Sequence, residues 1–260
     1  MNEYLQIAIE AARAAGKLLF ERIDSVAWVE HKGAINLVTE MDVKSEELIK
    51  KKITEAFPEH QILAEESDIP KSEAEFRWVI DPLDGTTNYA HGFPLFCVSI
   101  ALEIQGIIEV GAVYDPTRDD LFSAVRGKGA FLNEKKIAVS HTPALTESLL
   151  ATGFPYDLRE GAADNTDHWE RMLVRAQAVR RAGSAALDLC YTACGRFDGF
   201  WELKLFPWDM AAGSLIVLEA GGLVTDFAGG PFSIYSKEIL ASNGKIHQEM
   251  ADILVLGKRP

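Results

Sequence analysis

Acidic side chains stand at three points in the chain beside residue types that bind oxyanions. The most informative run is Arg77-Trp78-Val79-Ile80 followed by Asp81-Pro82-Leu83-Asp84-Gly85-Thr86-Thr87-Asn88. A short buried strand that ends in two carboxylates, with Pro82 and Gly85 shaping a turn, can converge Asp81 and Asp84 on one point, and hard oxygen ligands suit Mg²⁺. Gly85, Thr86 and Thr87 can then offer backbone N–H groups to a phosphate at a helix start. The same residues also make an ordinary Asx turn punctuated by Asp-Pro and Asp-Gly.

Ala64-Glu65-Glu66-Ser67 follows a strand candidate, and by itself a Glu-Glu pair reads as loop charge. Its chemical interest lies in its reach toward Asp81. Pro207-Trp208-Asp209-Met210-Ala211-Ala212-Gly213 opens a small-residue helix that ends at Glu219-Ala220-Gly221-Gly222. Asp209 stands where an N-cap belongs, and a capping Asp or a metal ligand fits that position equally well.

The elements that position these acids are legible in the periodicity. Leu5, Ala8, Ile9, Ala12, Gly16 and Leu19 share one face of a helix over 2–21. A second helix is signalled by Asp42 as its N-cap, with Ile49, Ile53 and Phe57 at spacings of four and Pro58 as its stop. Strands are predicted at 61–63 and 77–80. The segment 96–139 is rich in β-branched and aromatic residues and is divided by turns at Gln105-Gly106, Asp115-Pro116 and Asn133-Glu134, which predicts a mostly antiparallel sheet. Beyond Pro143 strands and helices alternate: a strand near Leu149, helices from Asn165 and Ser184, a strand over 197–201, a helix from Asp209, then strands and a final helix. Such alternation predicts a mixed α/β layer. The expected organisation is an N-terminal α+β subdomain over 1–142 and a C-terminal α/β subdomain over 143–260, tightly packed and without a linker.

Composition excludes several classes. A chain of 260 residues can bury a sizeable core. A formal net charge of -13 argues against a nucleic-acid surface, which needs clustered Lys and Arg. An acidic protein that handles a phosphate must hold cations locally. Cys97, Cys190 and Cys194 are odd in number and unpatterned, as expected of reduced thiols in a cytoplasmic protein. No stretch approaches the roughly 18 apolar residues of a membrane span.

Taken together, the three acidic segments resemble the inositol monophosphatase family. The family's Asp-Pro-x-Asp-Gly-Thr-x-Asn signature stands at Asp81 to Asn88, and Trp-Asp-x-Ala-Ala-Gly followed by Glu-Ala-Gly-Gly stands at Trp208 to Gly222. Glu65-Glu66-Ser67, Asn36-Leu37-Val38-Thr39-x-x-Asp42, Arg180 to Ala185 and Asp198 to Glu202 are similar to family elements in the same order, so the resemblance covers nearly the whole chain.

The resemblance implies an α-β-α-β-α sandwich of the sugar-phosphatase type and a homodimer. It implies two or three Mg²⁺ ions held by Glu65, Asp81, Asp84, Asp209 and the Leu83 carbonyl, and inhibition by lithium. It further implies that Thr86, hydrogen-bonded to Asp42, orients the attacking water near Glu65. Gly85, Thr86 and Asp209 would meet the substrate, as would Gly183, Ser184, Ala185 and Glu202 through its hydroxyls. Lys32, Glu66 and Arg180 resemble further residues near the site. The implied activity is Mg²⁺-dependent hydrolysis of a small polyol or sugar phosphate monoester, first of all myo-inositol 1-phosphate. Fructose 1,6-bisphosphate and histidinol phosphate are alternatives on the same fold, and so is a regulatory binding module with little turnover. The short chain and Glu202 look more like the inositol type than the longer nucleotide-acting type.

Other chemistries lack their residues. Cys190-x5-Arg196 has the spacing of a cysteine-phosphatase loop, but Ala185, Leu189, Thr192 and Ala193 give it helical spacing and leave no free backbone amides to cradle an anion. The six His residues show no zinc spacing, and neither a phosphate-binding Gly-x-x-x-x-Gly-Lys loop nor a dinucleotide fingerprint is present. The five Trp residues are scattered, as packing residues are, and form no base-stacking platform.

Overall fold

The computed structural model describes residues 2–23, 29–31, 37–67, 74–155 and 165–256. Lys32 and Asn36 lie outside them. In chain order the elements are α1 (Glu3–Phe20), β1 (Val29–His31), β2 (Leu37–Thr39), α2 (Glu40–Ala56), β3 (Gln61–Ala64), β4 (Phe76–Asp84), α3 (Thr86–Ala90), β5 (Cys97–Ile104), β6 (Ile107–Asp115), β7 (Asp120–Val125), β8 (Ala130–Leu132) and β9 (Lys135–Lys136). They continue with β10 (Leu149–Thr152), α4 (Thr166–Leu173), β11 (Ala178–Arg180), α5 (Ala185–Ala193), β12 (Gly199–Leu203), α6 (Pro207–Glu219), β13 (Leu223–Thr225), β14 (Glu238–Ser242) and α7 (His247–Leu254).

The larger sheet runs in sequence order from β3 to β9, parallel at β3–β4 and antiparallel thereafter. Its hairpins close where the turn dipeptides predict. Gln105 and Gly106 both take positive φ between β5 and β6, as do Asn133 and Glu134 between β8 and β9, the backbone that two-residue hairpins require. The smaller sheet has the order β11-β10-β12-β14-β13, parallel over its first three strands and antiparallel at β14.

Strand alternation sorts the larger sheet's side chains onto two faces. Trp78, Ile80, Val98, Ile100 and Leu102 pack with Ala8, Ala12, Leu19, Ile49 and Ile53 under α1 and α2. Val79, Cys97 and Ala101 point the other way, toward α5 and α6. Those two helices are apolar nearly all round because they are buried between the sheets, where one continuous core joins Val79 and Val113 to Leu189, Leu215, Phe200 and Ile239. On the outer face of the smaller sheet, Met172 of α4 and Met250 of α7 pack with Trp201 and Leu240. The result is the expected five-layer α-β-α-β-α sandwich.

Two helix starts differ from their expected positions. The N-cap of α2 is Thr39, and Asp42 sits three residues in, its Oδ2 accepting the Thr39 N–H at 2.7 Å and the Thr39 hydroxyl at 2.6 Å. Asp209 likewise lies inside α6 rather than at its cap, with Pro207 in the first turn and the Phe206 N–H donating to its Oδ2 at 2.7 Å. A carboxylate three residues into a helix can reach back to the cap's N–H as well as a capping side chain reaches forward, so sequence signals for the two positions overlap. No helix among the described residues is long and apolar enough to cross a membrane.

Candidate active site

Asp81 and Asp84 are three residues apart, so an unbroken strand would point them to opposite faces. The chain avoids this with a register shift in β4: Asp81 pairs with Ser99, Asp84 pairs with Cys97, and Pro82-Leu83 form the irregularity between them. Both acids therefore face α5 and α6. The bulge is pinned from outside, where Ser45 of α2 donates to the Pro82 carbonyl at 2.7 Å, and from inside, where the Leu83 N–H donates to Asp81 Oδ1 at 3.0 Å.

Gly85 follows with φ +99, a conformation only glycine takes cheaply, and its position leaves a Cβ 3.0 Å from the Leu95 carbonyl. The chain turns sharply there into α3. Thr86, its first residue, donates its hydroxyl to Asp42 Oδ1 at 2.9 Å and lies 3.1 Å from the Leu83 carbonyl. With Oδ2 of Asp42 held by Thr39, that carboxylate is fixed at both oxygens.

Asp84 Oδ2 accepts the Ser184 hydroxyl at 2.6 Å and the Ala186 N–H at 2.7 Å, both from the start of α5. This explains why residues around Gly183-Ser184-Ala185 belong to the site: they hold a carboxylate from a different sheet. Glu65, Asp81, Leu83, Asp84, Gly85, Thr86, Gly183, Ser184, Ala185, Glu202 and Asp209 all line one cleft. Asp42 stands behind it, joined through Thr86.

Two other expected residues fall elsewhere. Glu66 is not among the cleft's lining; its N–H donates to Glu46 at 2.8 Å. Arg180 is exposed on β11 and its guanidinium turns to the Val179 carbonyl, while its neighbour Arg181 lines the cleft. Lys32 lies outside the described residues. Sequence reasoning missed Asp188 and Gly153, which also line the cleft. The signal for Asp188 was a lone charge in the otherwise apolar run Ala185 to Ala193.

The electrostatics are those of crowded anions. Burial pushes the Asp81 carboxyl well above its usual range, and Glu65, Asp84 and Asp209 push it further, against the Leu83 N–H. Burial also raises Asp209 well above that range, helped by Asp84. Asp84 is raised by burial, opposed by Ser184, the amides of Ala186 and Ala185, and Arg181. A divalent cation would relieve this repulsion, and the donors offered are all hard oxygens, so the residues fit Mg²⁺. Among the described residues no three such side chains already close on one point.

The family model described as inositol monophosphatase family matches residues 1–256. The chain belongs to the inositol monophosphatase family. It is 48% identical to an inositol-1-monophosphatase of Synechocystis sp. over 98% of this chain and 89% of that protein. It is also 45% identical to the Nus factor SuhB of Pseudomonas aeruginosa, over 94% and 93% of the two chains. The solved inositol monophosphatase of Anabaena (Nostoc) sp. superposes with a TM-score of 0.89 at 46% identity, covering 96% of this chain and 94% of that one. Membership in the inositol monophosphatase family makes the protein a phosphatase, a phosphoric monoester hydrolase.

Proposed function

We propose that the chain hydrolyses a small polyol phosphate monoester, myo-inositol 1-phosphate before others, with Mg²⁺ as cofactor and two or three ions per site. The observation that carries this reading is the bulge in β4, which turns Asp81 and Asp84 into the same cleft as Glu65 and Asp209. Those four side chains and the Leu83 carbonyl would hold the metal. When bound, Mg²⁺ supplies Lewis-acid stabilisation of the negative charge that develops on phosphoryl and leaving oxygens.

The chain's own groups handle the proton and the alcohol. Because Thr86 donates its hydroxyl proton to Asp42, its oxygen lone pairs are left to accept from a water, and the carboxylate behind it can take the proton on. The Gly85 turn and the α3 amides would meet phosphate oxygens, and Glu202 with the Gly183-Ser184-Ala185 turn would meet substrate hydroxyls. Glu202 is lifted to about 8 by burial, opposed by Arg181 and helped by Asp84, so at neutral pH it carries a proton and can both donate to and accept from a hydroxyl.

The test is phosphate release with Mg²⁺ and with EDTA from myo-inositol 1-phosphate, fructose 1,6-bisphosphate, histidinol phosphate and 3'-phosphoadenosine 5'-phosphate. A metal-dependent preference for the inositol ester is expected. A metal-dependent preference for another ester refutes the substrate assignment, and turnover unaffected by EDTA refutes the metal assignment. A second reading, a regulatory binding module with little turnover, is favoured by relatives of similar identity that bear the name Nus factor SuhB. Folded chain that releases no phosphate from any ester would select it. The homodimer and the cytoplasmic location remain part of the proposal.

A further inference from the structure

All nine residues of α5 are buried, and Asp188 is its one charged side chain, exposed by only 1%. Its Oδ1 is buried without a hydrogen-bond partner. The hydroxyl one turn on, Thr192, donates instead to the Asp188 backbone carbonyl at 2.9 Å. Buried polar atoms are nearly always paired, and leaving one unpaired is costly, so a ligand atom is the natural partner for this one.

Two facts say what kind of ligand. First, the donors that hold Asp84, Ser184 Oγ and the Ala186 N–H, come from the beginning of α5, so Asp188 is not what holds Asp84 in place. Second, Asp188 lines the cleft together with Glu202, Gly153 and Arg181. Burial, then Glu202 and Asp84, push its carboxyl well above the usual range against Arg181 and so favour its protonated form. The unpaired Oδ1 can accept from a hydroxyl in the cleft, and a carboxyl that holds a proton can also donate to one, which matches an alcohol.

We propose that Asp188 is a specificity-determining residue that, beside Glu202, binds a hydroxyl on the alcohol portion of the substrate. This rests on the polyol-phosphatase reading above and deepens it.

The experiment compares kcat/KM for myo-inositol 1-phosphate and for phenyl phosphate, which lacks hydroxyls, in the wild type, Asp188→Ala and Asp188→Asn. The expected result is that Asp188→Ala lowers the inositol-to-phenyl ratio about tenfold, chiefly through KM for the inositol ester. Asp188→Asn, which keeps a donor and an acceptor, should recover part of the ratio. An unchanged ratio overturns the inference, whether both esters hold their rates or lose them together, since a residue that only packs α5 moves both alike. Wild-type turnover of phenyl phosphate with none of the inositol ester overturns the polyol reading and this inference with it. A wild type inert toward both does the same, whereas wild-type preference with an unmoved variant ratio refutes Asp188 alone.

Discussion

Gly153→Ala should damage recognition of the alcohol while leaving the fold nearly untouched. A Cβ at residue 153 would stand 2.0 Å from Glu202 Oε1 and 2.3 Å from both its Cδ and Oε2. Ordinary contact begins at 3.4 Å, so the Glu202 carboxyl must retreat by at least 1.4 Å. The atoms struck are the far end of a flexible side chain, so rotation relieves the clash and little stability is lost. A displacement of about 1 Å in a positioning group can cost on the order of 100-fold, and one hydrogen bond about tenfold. The expected fall in kcat/KM for myo-inositol 1-phosphate relative to phenyl phosphate therefore lies between about 10- and 100-fold. The assay is steady-state phosphate release on both esters, with a melting curve for each variant and a cycle through Glu202→Ala. If Gly153 acts by seating Glu202, the double variant should be no worse than Glu202→Ala alone. Fully additive losses, or equal losses on both esters, would refute the reasoning.

Thr86→Ala should lower kcat by about 10²- to 10⁴-fold on every ester because the hydroxyl bridging to Asp42 is lost; a rate within threefold of wild type would exclude the relay. Asp84→Asn or Asp209→Asn should remove most turnover and blunt the Mg²⁺ titration while unfolding stays cooperative, and near-normal activity in both would sink the ligand assignment. Ser184→Ala removes the 2.6 Å donor to Asp84 and should raise the Mg²⁺ concentration for half-maximal activity about 10- to 100-fold. Glu202 contributes to the pH dependence of stability in EDTA beside the raised carboxyls of Asp81, Asp84, Asp188 and Asp209. Its folded carboxyl titrates near 8 against an ordinary 4.5, so the folded chain keeps a proton that the unfolded chain releases. That contribution is fully present below 4.5 and is lost as pH rises to about 8, on the order of a few kcal/mol. Melting temperatures of Glu202→Gln should fall less steeply with pH over this window than those of the wild type, and parallel trends would show that Glu202 contributes nothing to the slope.

The acids, their oxygen-donor chemistry and the paired turn dipeptides could be read from the chain because they are local: Gln105-Gly106 and Asn133-Glu134 dictate their hairpins through backbone φ, and Pro207 opens α6 through its fixed geometry. The five-layer order was an implication of the family resemblance; the residue pattern itself predicted an antiparallel sheet in the first half and a mixed α/β layer in the second. Distinguishing a cap from the third helical residue was beyond it for Asp42 and Asp209, because both positions satisfy the same N–H groups. Nor could spacing decide that Asp81 and Asp84 share a face; parity says otherwise, and only pairing of β4 with Cys97 and Ser99 creates the bulge that reverses it. The choice of Arg181 over Arg180 depends likewise on how the chain leaves β11 toward the cleft. Asp188 sits in a core helix, and its place in the cleft depends on the second sheet bringing Glu202 and Gly153 to it. A sequence records what each residue can bond to, whereas burial and nonlocal pairing determine which of those bonds are left for a ligand.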